Sequence, residues 1–248
     1  MDLTLVIPAA GRGERLSPST SQTPKTMLSV AGRPILEYVL EVGARLPVDR
    51  IVIIVGSNGH LIRDFCGASC RGIPVTYCEQ QEPLGLVHAV SLSEPLVRDH
   101  LLVLLGDELY VGSRHSELCQ YLNEKRADGL CGFVRTTARA RIGFNYGLEI
   151  DVNSRVKRLV EKPRSAWNDL LGTGTWLFNR QWFDFLDRTP THSERGERDF
   201  VAVIQKMVDE DRVVCGIDLG GLYVNVNTLA DLQFGELLVR SQPLAAKA

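Results

Sequence analysis

The chain has 248 residues, 44% of them hydrophobic, with 28 basic side chains against 30 acidic ones and a formal net charge of -2. That is enough apolar material for one large core, with or without a small appended lobe, and too little positive charge for a protein that coats nucleic acid, whose phosphate backbone calls for a broad basic surface. Six cysteines without a CxxC pair, and an N-terminal apolar stretch too short for a signal peptide, indicate reduced thiols in a cytoplasmic protein with no membrane span.

The first strand is expected over residues 3–7. It runs into Pro8-Ala9-Ala10-Gly11-Arg12-Gly13-Glu14-Arg15-Leu16 and then Pro24-Lys25, a glycine-punctuated loop in which Gly11 and Gly13 leave backbone amides open to a ligand and Arg15 and Lys25 add fixed charge. This is the pattern of a triphosphate site. A dinucleotide-binding turn fits less well: Gly11-x-Gly13-x-x-Leu16 lacks the third small residue, and Pro18 and Pro24 forbid the long helix that should follow.

Ile35, Leu36, Val39, Leu40 and Leu46 then mark one face of a helix, with Pro34 in its first turn. Buried strands are read over residues 51–55, 75–78 and 101–105, with a further strand over 130–135 and helices near 60–65, 86–92 and 117–125. Such alternation predicts a mainly parallel sheet with helices on both faces. After Arg135 the character changes. Strands at 147–151, 156–161 and 173–178 are joined by short polar turns such as Asn153-Ser154, which suggests an antiparallel extension. A helix over 200–210, a strand at 213–217 and a helix over 229–239 close the chain, leaving a loose tail from Gln242.

Ligands of such sheets sit at the carboxyl ends of the strands. There the run 101–105 delivers Gly106-Asp107, a carboxylate suited to Mg²⁺ against phosphate oxygens; Glu108, the next residue, should point elsewhere. Glu161-Lys162-Pro163 ends another strand, where Glu161 can accept from hydroxyls and Lys162 can bind phosphate as a point charge. Cys66 and Cys70 read as buried or half-buried thiols, Trp167, Trp176 and Trp182 as core or rim packing residues, and Arg135, Arg139 and Arg141 as a solvated face.

Taken in order, the opening loop with its Pro24-Lys25, Gln81-Glu82-Pro83-Leu84-Gly85-Leu86, Gly106-Asp107, Tyr146-Gly147 and Glu161-Lys162-Pro163 resemble the sugar-1-phosphate nucleotidylyltransferases over about nine tenths of the chain. Residues 81–90 are most similar to the glucose-1-phosphate thymidylyl- and uridylyltransferases. The resemblance implies a Rossmann-like, three-layer α/β/α fold of glycosyltransferase A type, with a mainly parallel mixed sheet and a small antiparallel sugar-binding lobe. One domain would span 1–241, with a nucleotide-binding half to about residue 135 and a sugar-binding half beyond it.

By the same resemblance, the backbone of Ala10, Gly11 and Gly13 would wrap the triphosphate, Arg15 would neutralise it, and Lys25 would reach the α-phosphate. Gln81 would read the base, with Gly85 offering a backbone contact. Tyr146, Gly147, Glu161 and Gly174 would line the sugar pocket, Lys162 would hold the sugar phosphate, and Arg195 would add a second phosphate contact. Two departures stand out. Where similar enzymes often carry a second metal-binding aspartate, this chain has Tyr223-Val224-Asn225-Val226-Asn227, so Asn225 or Asn227 would supply a neutral oxygen. Glu14 stands where many relatives have a small hydroxyl residue.

The implied activity is transfer of a nucleotidyl group from a nucleoside triphosphate, dTTP or UTP foremost, to a sugar or cyclitol 1-phosphate, with Mg²⁺ as cofactor. Acid–base chemistry is hardly needed, because the attacking phosphate is already an anion; the work is to bring two polyanions together. A cytidylyl- or guanylyltransferase and a non-catalytic nucleotide-sugar binder remain the alternatives, and homo-oligomerisation is left open.

Overall fold

Alternation along the apolar runs decides the layering. Leu3, Leu5 and Ile7 pack into one hydrophobic cluster with Ile51, Ile53, Leu102 and Leu104. Val6, Val52, Ile54, Leu101 and Val103 pack into a second one. Successive side chains of a strand point to opposite faces, so both faces of this sheet are buried and both need a layer of helices.

A computed structural model describes residues 1–11, 23–191 and 196–241. Its elements run β1 (Leu3–Pro8), β2 (Ser29–Val30), β3 (Arg33–Pro34), α1 (Ile35–Gly43), β4 (Arg50–Val55), α2 (Gly59–Cys66), β5 (Ser69–Cys70), β6 (Ile73–Glu79), α3 (Gly85–Ser91), β7 (His100–Leu104), β8 (Glu108–Val111), α4 (Leu118–Lys125) and β9 (Gly129–Arg135). There follow β10 (Tyr146–Ile150), β11 (Val156–Glu161), β12 (Leu170–Asn179), α5 (Phe200–Asp209), β13 (Val214–Asp218), β14 (Leu222–Asn225) and α6 (Leu229–Arg240). The tail expected to be loose, residues 242–248, lies outside the described residues.

The main sheet has the order β11-β10-β12-β7-β1-β4-β6-β5, with β9 beside β12 and β13 beside β9. Strands β7, β1, β4 and β6 are parallel, whereas β12 runs antiparallel to β7, β9 and β10. The antiparallel part is therefore continuous with the parallel core, joined through the ten-residue strand β12. α1, α2 and α4 supply Leu36, Val39, Ile62, Leu118 and Leu122 to one face. α3 and α5 supply Val87, Val90, Phe200, Val203 and Ile204 to the other.

The expectation of a buried strand at 75–78 meets a correction. β6 is only partly covered, since the two-residue β5 is all that lies beyond it, and its side chains alternate between half-buried and exposed. Two short strands without a sequence signal, β8 and β14, pair antiparallel outside the main sheet. A satellite cluster of Val30, Ile35, Leu109, Val224, Val226 and Leu238 packs this pair against α6. Among the described residues no helix is long and apolar enough to cross a membrane.

Candidate active site

The carboxyl ends of β1 and β7 meet at a group of charged and amide side chains. After Pro24 the chain makes a single 3-10 turn, Lys25–Met27, whose first amide donates to Gly11 O at 3.3 Å. This turn points Lys25 at Asp107: the two form an ion pair, and Lys25 Nζ also donates to Asn227 Oδ1 at 2.8 Å. The β8–β14 ladder sets the rest, with Asn225 opposite Glu108 and Val226 N donating to Asp107 O at 2.9 Å. Asn225 and Asn227, two residues apart in extended chain, thus share a face beside Asp107. Asn225 Nδ2 reaches Asn145 Oδ1 at 3.4 Å, while its Oδ1 is buried with no hydrogen-bond partner among the described residues. An orphaned buried amide oxygen one residue from the Val226 N–Asp107 O contact, together with that aspartate, offers the oxygen donors a hard cation takes.

A cavity of about 650 Å³ opens from this corner, with Asn225 and Asn227 on one wall and Glu161 and Lys162 on another. Lys162 follows the last residue of β11, and its backbone turns into the left-handed region (φ +43°), with its N–H donating to Asn145 O at 2.7 Å. For a residue other than glycine that geometry costs about 1 kcal/mol, and residues held so cluster where function requires it. Lys162 Nζ lies 3.3 Å from Glu161 Oε1. Asn145, which no sequence motif singled out, is the hub of this wall. It accepts from Lys162 N through its backbone and from Asn225 Nδ2 through its side chain at 3.4 Å, and Tyr223 Oη lies 3.4 Å from the same side-chain oxygen.

The floor is formed by Tyr146, Thr173, Gly174, Trp176 and Phe200. Tyr146 presents its ring; its hydroxyl donates to Gly132 O at 3.2 Å and accepts from Trp176 Nε1 at 3.2 Å. Gly174 O accepts from Leu105 N at 3.0 Å, and Gly174 N donates to Glu108 at 2.8 and 3.0 Å. Its place in the wall rests on the absence of a side chain, because a Cβ there would lie 2.3 Å from Leu105 Cγ. Gly147 sits under Trp167, which a Cβ would approach to 2.9 Å. Burial pushes the Glu108 carboxyl up to about 7, against the hydrogen bonds from Tyr110 and Tyr223 that pull it down.

At the turn into α3, Gln81 is exposed and Gln80 is buried. Gln80 Nε2 donates to Gly85 O at 3.0 Å and lies 3.0 Å from His88 Nδ1, so of the two adjacent amides it is Gln80 that braces this turn. Gly85 has φ +87°, which calls for glycine, and a Cβ on it would meet Glu197 Oε2 at 2.6 Å. Glu197 brings this turn against the cavity, whose wall it also lines. Arg141, read from sequence as part of a solvated face, lines the cavity as well and holds its guanidinium 5.7 Å from the Phe234 ring. Ala10 backs onto Gly56, where a Cβ would come within 2.9 Å of Ala10 O. Gly13, Glu14, Arg15 and Arg195 lie outside the described residues.

The structure therefore gathers Asn225, Asn227, Tyr146, Glu161, Lys162 and Gly174 around one opening, with Lys25 tied to Asn227 and Asp107 to Val226 just behind it. The six cysteines, none of which takes part, are free thiols, and burial pushes Cys66 up to about 12.

Comparison with known proteins bears on this arrangement. The family model described as nucleotidyl transferase matches residues 4–223. The chain is 26% identical to the UTP–glucose-1-phosphate uridylyltransferase AglF of Haloferax volcanii over 97% of its own length and 98% of that protein's. It is 30% identical to a glucose-1-phosphate thymidylyltransferase of Streptomyces antibioticus, covering 90% of this chain and 62% of the relative. Identity to the bifunctional protein GlmU of Methanocaldococcus jannaschii is also 30%, over 92% of this chain, which spans about half of GlmU (52%). Among solved structures, a UDP-glucose pyrophosphorylase complexed with UDP-glucose superposes with a TM-score of 0.86 at 18% identity, covering 97% of this chain and 99% of that one. One from Acinetobacter baumanii gives 0.83 at 19%, covering 96% and 93%. These two likenesses establish the α/β architecture.

Proposed function

Because the chain belongs to the nucleotidyl transferase family, we propose that it transfers a nucleotidyl group from a nucleoside triphosphate, UTP or dTTP, to a sugar 1-phosphate, releasing pyrophosphate. The observation that carries the reading is the single cavity with Asn225 and Asn227, the neighbours of Asp107 and Lys25, on one side and Glu161 and Lys162 on the other.

Two polyanions must meet for this reaction, and the chain's cations face the places where they would lie. Lys25, held between Asp107 and Asn227, stands at the triphosphate end. Lys162 stands at the sugar-phosphate end as a point charge, and Glu161 accepts hydrogen bonds from sugar hydroxyls. A phosphate oxygen attacks the α-phosphorus in line and pyrophosphate leaves opposite. The attacking group needs no base, so orientation and charge neutralisation make up the catalysis.

Sugar nucleotidyltransferases generally use a divalent metal, and Mg²⁺ is the ion assigned here. Asp107 and the buried Oδ1 of Asn225 would hold it, with phosphate oxygens and water completing its shell. When bound it withdraws charge from the phosphate oxygens. Asn227 Oδ1 is already engaged by Lys25, which favours Asn225 of the two amides. At the α3 turn the braced Gln80–Gly85 pair, with Gln81 on its outer side, faces the nucleotide base. The free thiols suit the reducing cytoplasm.

Pyrophosphate release measured for UTP, dTTP, CTP, GTP and ATP, each against a set of sugar 1-phosphates with Mg²⁺, tests the reading. Turnover with UTP or dTTP is expected. Absence of pyrophosphate from every pair refutes it.

A further inference from the structure

Glu108 holds neither substrate in the scheme above, yet it touches both sides of the cavity. The register Thr175↔Leu104 places Gly174 opposite Leu105, and Leu105 N duly donates to Gly174 O. The reciprocal donor, Gly174 N–H, goes instead to the two oxygens of the Glu108 carboxylate at 3.0 and 2.8 Å. On its other edge β12 slips register against β9 between Gly172 and Trp176, so no regular ladder fixes Thr173–Gly174–Thr175 there. The carboxylate takes the place of a strand partner at the floor of the cavity.

Its remaining lone pairs face the opposite way. Tyr223 Oη donates to Oε1 at 2.6 Å and Tyr110 Oη to Oε2 at 2.5 Å. Tyr223 lies on β14 two residues before Asn225, Glu108 is itself the ladder partner of Asn225, and Asp107 immediately precedes it. Tyr110 is tied in turn to Thr175 at 3.0 Å, and Thr175 to the buried His115 at 3.0 Å. One carboxylate, 1% exposed, thus ties β8 and β14 to β12. Burying such a group is costly unless every lone pair is satisfied, and packing alone would be served as well by a leucine.

We propose that Glu108 is a positioning residue that fixes the sugar floor at Gly174 relative to the Asp107–Asn225 corner, and so sets how the sugar phosphate is presented to the nucleotide. The proposal rests on the nucleotidyl-transfer reading above. It predicts a loss concentrated on one substrate, because β8 and β14 remain paired by their own ladder whereas Gly174 depends on the carboxylate.

Steady-state kinetics of Glu108→Gln, Tyr223→Phe and the double variant provide the test, alongside thermal melting to choose a temperature at which all are folded. Glutamine keeps the size but replaces one acceptor by an N–H₂ facing donors. Its KM for the sugar 1-phosphate should rise about ten-fold, the loss expected when a buried donor is left without its acceptor, with the KM for the nucleoside triphosphate within about two-fold. Tyr223→Phe should shift the same parameter less, and the double variant should be no worse than Glu108→Gln, as for groups acting as a unit. If Glu108→Gln melts lower but keeps both KM values, or raises both equally, the proposal is overturned; should that variant not fold, a Tyr223→Phe enzyme with unchanged KM overturns it. A wild type that releases no pyrophosphate overturns the transfer reading and this proposal with it, whereas an active wild type with unshifted variants counts against Glu108 alone.

Discussion

Replacing Gly174 with alanine puts a methyl group where Leu105 already sits. The added Cβ would lie 2.3 Å from Leu105 Cγ, 2.4 Å from Cδ1 and 2.7 Å from Cβ, against the 3.5–4.0 Å at which carbon atoms rest (about 3.5–4.0 Å). Leu105 or the strand must therefore move by more than about 1 Å. Overpacking of this kind costs roughly 1–3 kcal/mol. Moving the strand also stretches the bifurcated hydrogen bond from Gly174 N–H to Glu108, a bond contributing about 1 kcal/mol. A destabilisation of about 3 kcal/mol follows, or roughly 10 °C in Tm for a chain of this size. Urea unfolding followed by tryptophan fluorescence reads it directly. The origin is checked by Leu105→Ala: if the clash is the cause, the double variant should show a coupling of at least about 1 kcal/mol in its favour. A Gly174→Ala protein within about 0.5 kcal/mol of wild type, or strict additivity with Leu105→Ala, would refute the reasoning.

At Lys162, charge and backbone can be separated: Lys162→Ala and Lys162→Gly should both lose on the order of 10²-fold in turnover, while the glycine variant, at ease with φ +43°, should be about 1 kcal/mol more stable than the alanine one in urea. Asn225→Asp, which adds a charge beside Asp107, should lower the Mg²⁺ concentration for half-maximal turnover by about ten-fold and tighten Mn²⁺ binding followed by electron paramagnetic resonance; unchanged metal affinity in both assays counts against the assigned ligand. Burial pushes His115 down to about 3 from the 6.5 of a free imidazole. Between those values the unfolded chain binds a proton that the folded one does not, so stability falls as pH drops through this window. His115→Gln should remove ~2 kcal/mol of the stability lost between about pH 7 and pH 4.5; parallel curves for the two proteins would exclude His115 as the cause.

The parallel strands were legible because runs such as Ile51-Val52-Ile53-Ile54-Val55, buried on both faces, have no other home than the interior of a sheet. The positions of Asp107 and Lys162 stood out for a different reason, since each adjoins a glycine or proline at a strand end, where the chain must turn; Glu161 closes the same strand as Lys162, and Lys25 follows Pro24 into a 3-10 turn. Asn145, Glu108 and Tyr223 carry no such mark. Their roles arise from strand pairing between segments far apart in sequence, as when Tyr223 meets Glu108 across the β8–β14 ladder, and single-chain periodicity is blind to register. Arg141 misled for a related reason, since an arginine facing a cavity reads like one facing water. The two adjacent glutamines before Pro83 show the finest limit: only the backbone path decides that Gln80 is buried and Gln81 exposed.

The floor described above has spent its donors inwardly. Tyr146 and Thr173 both give their hydroxyl protons to Gly132 O, Trp176 gives its indole proton to Tyr146, and Gly174 its amide proton to Glu108. On the proposed reading, a pyranose resting on this surface meets contour and acceptor oxygens there but none of these four donors. Discrimination by donated hydrogen bonds then falls to the rim, and a sugar whose downward hydroxyl is replaced by a group that only accepts should gain nothing from the floor.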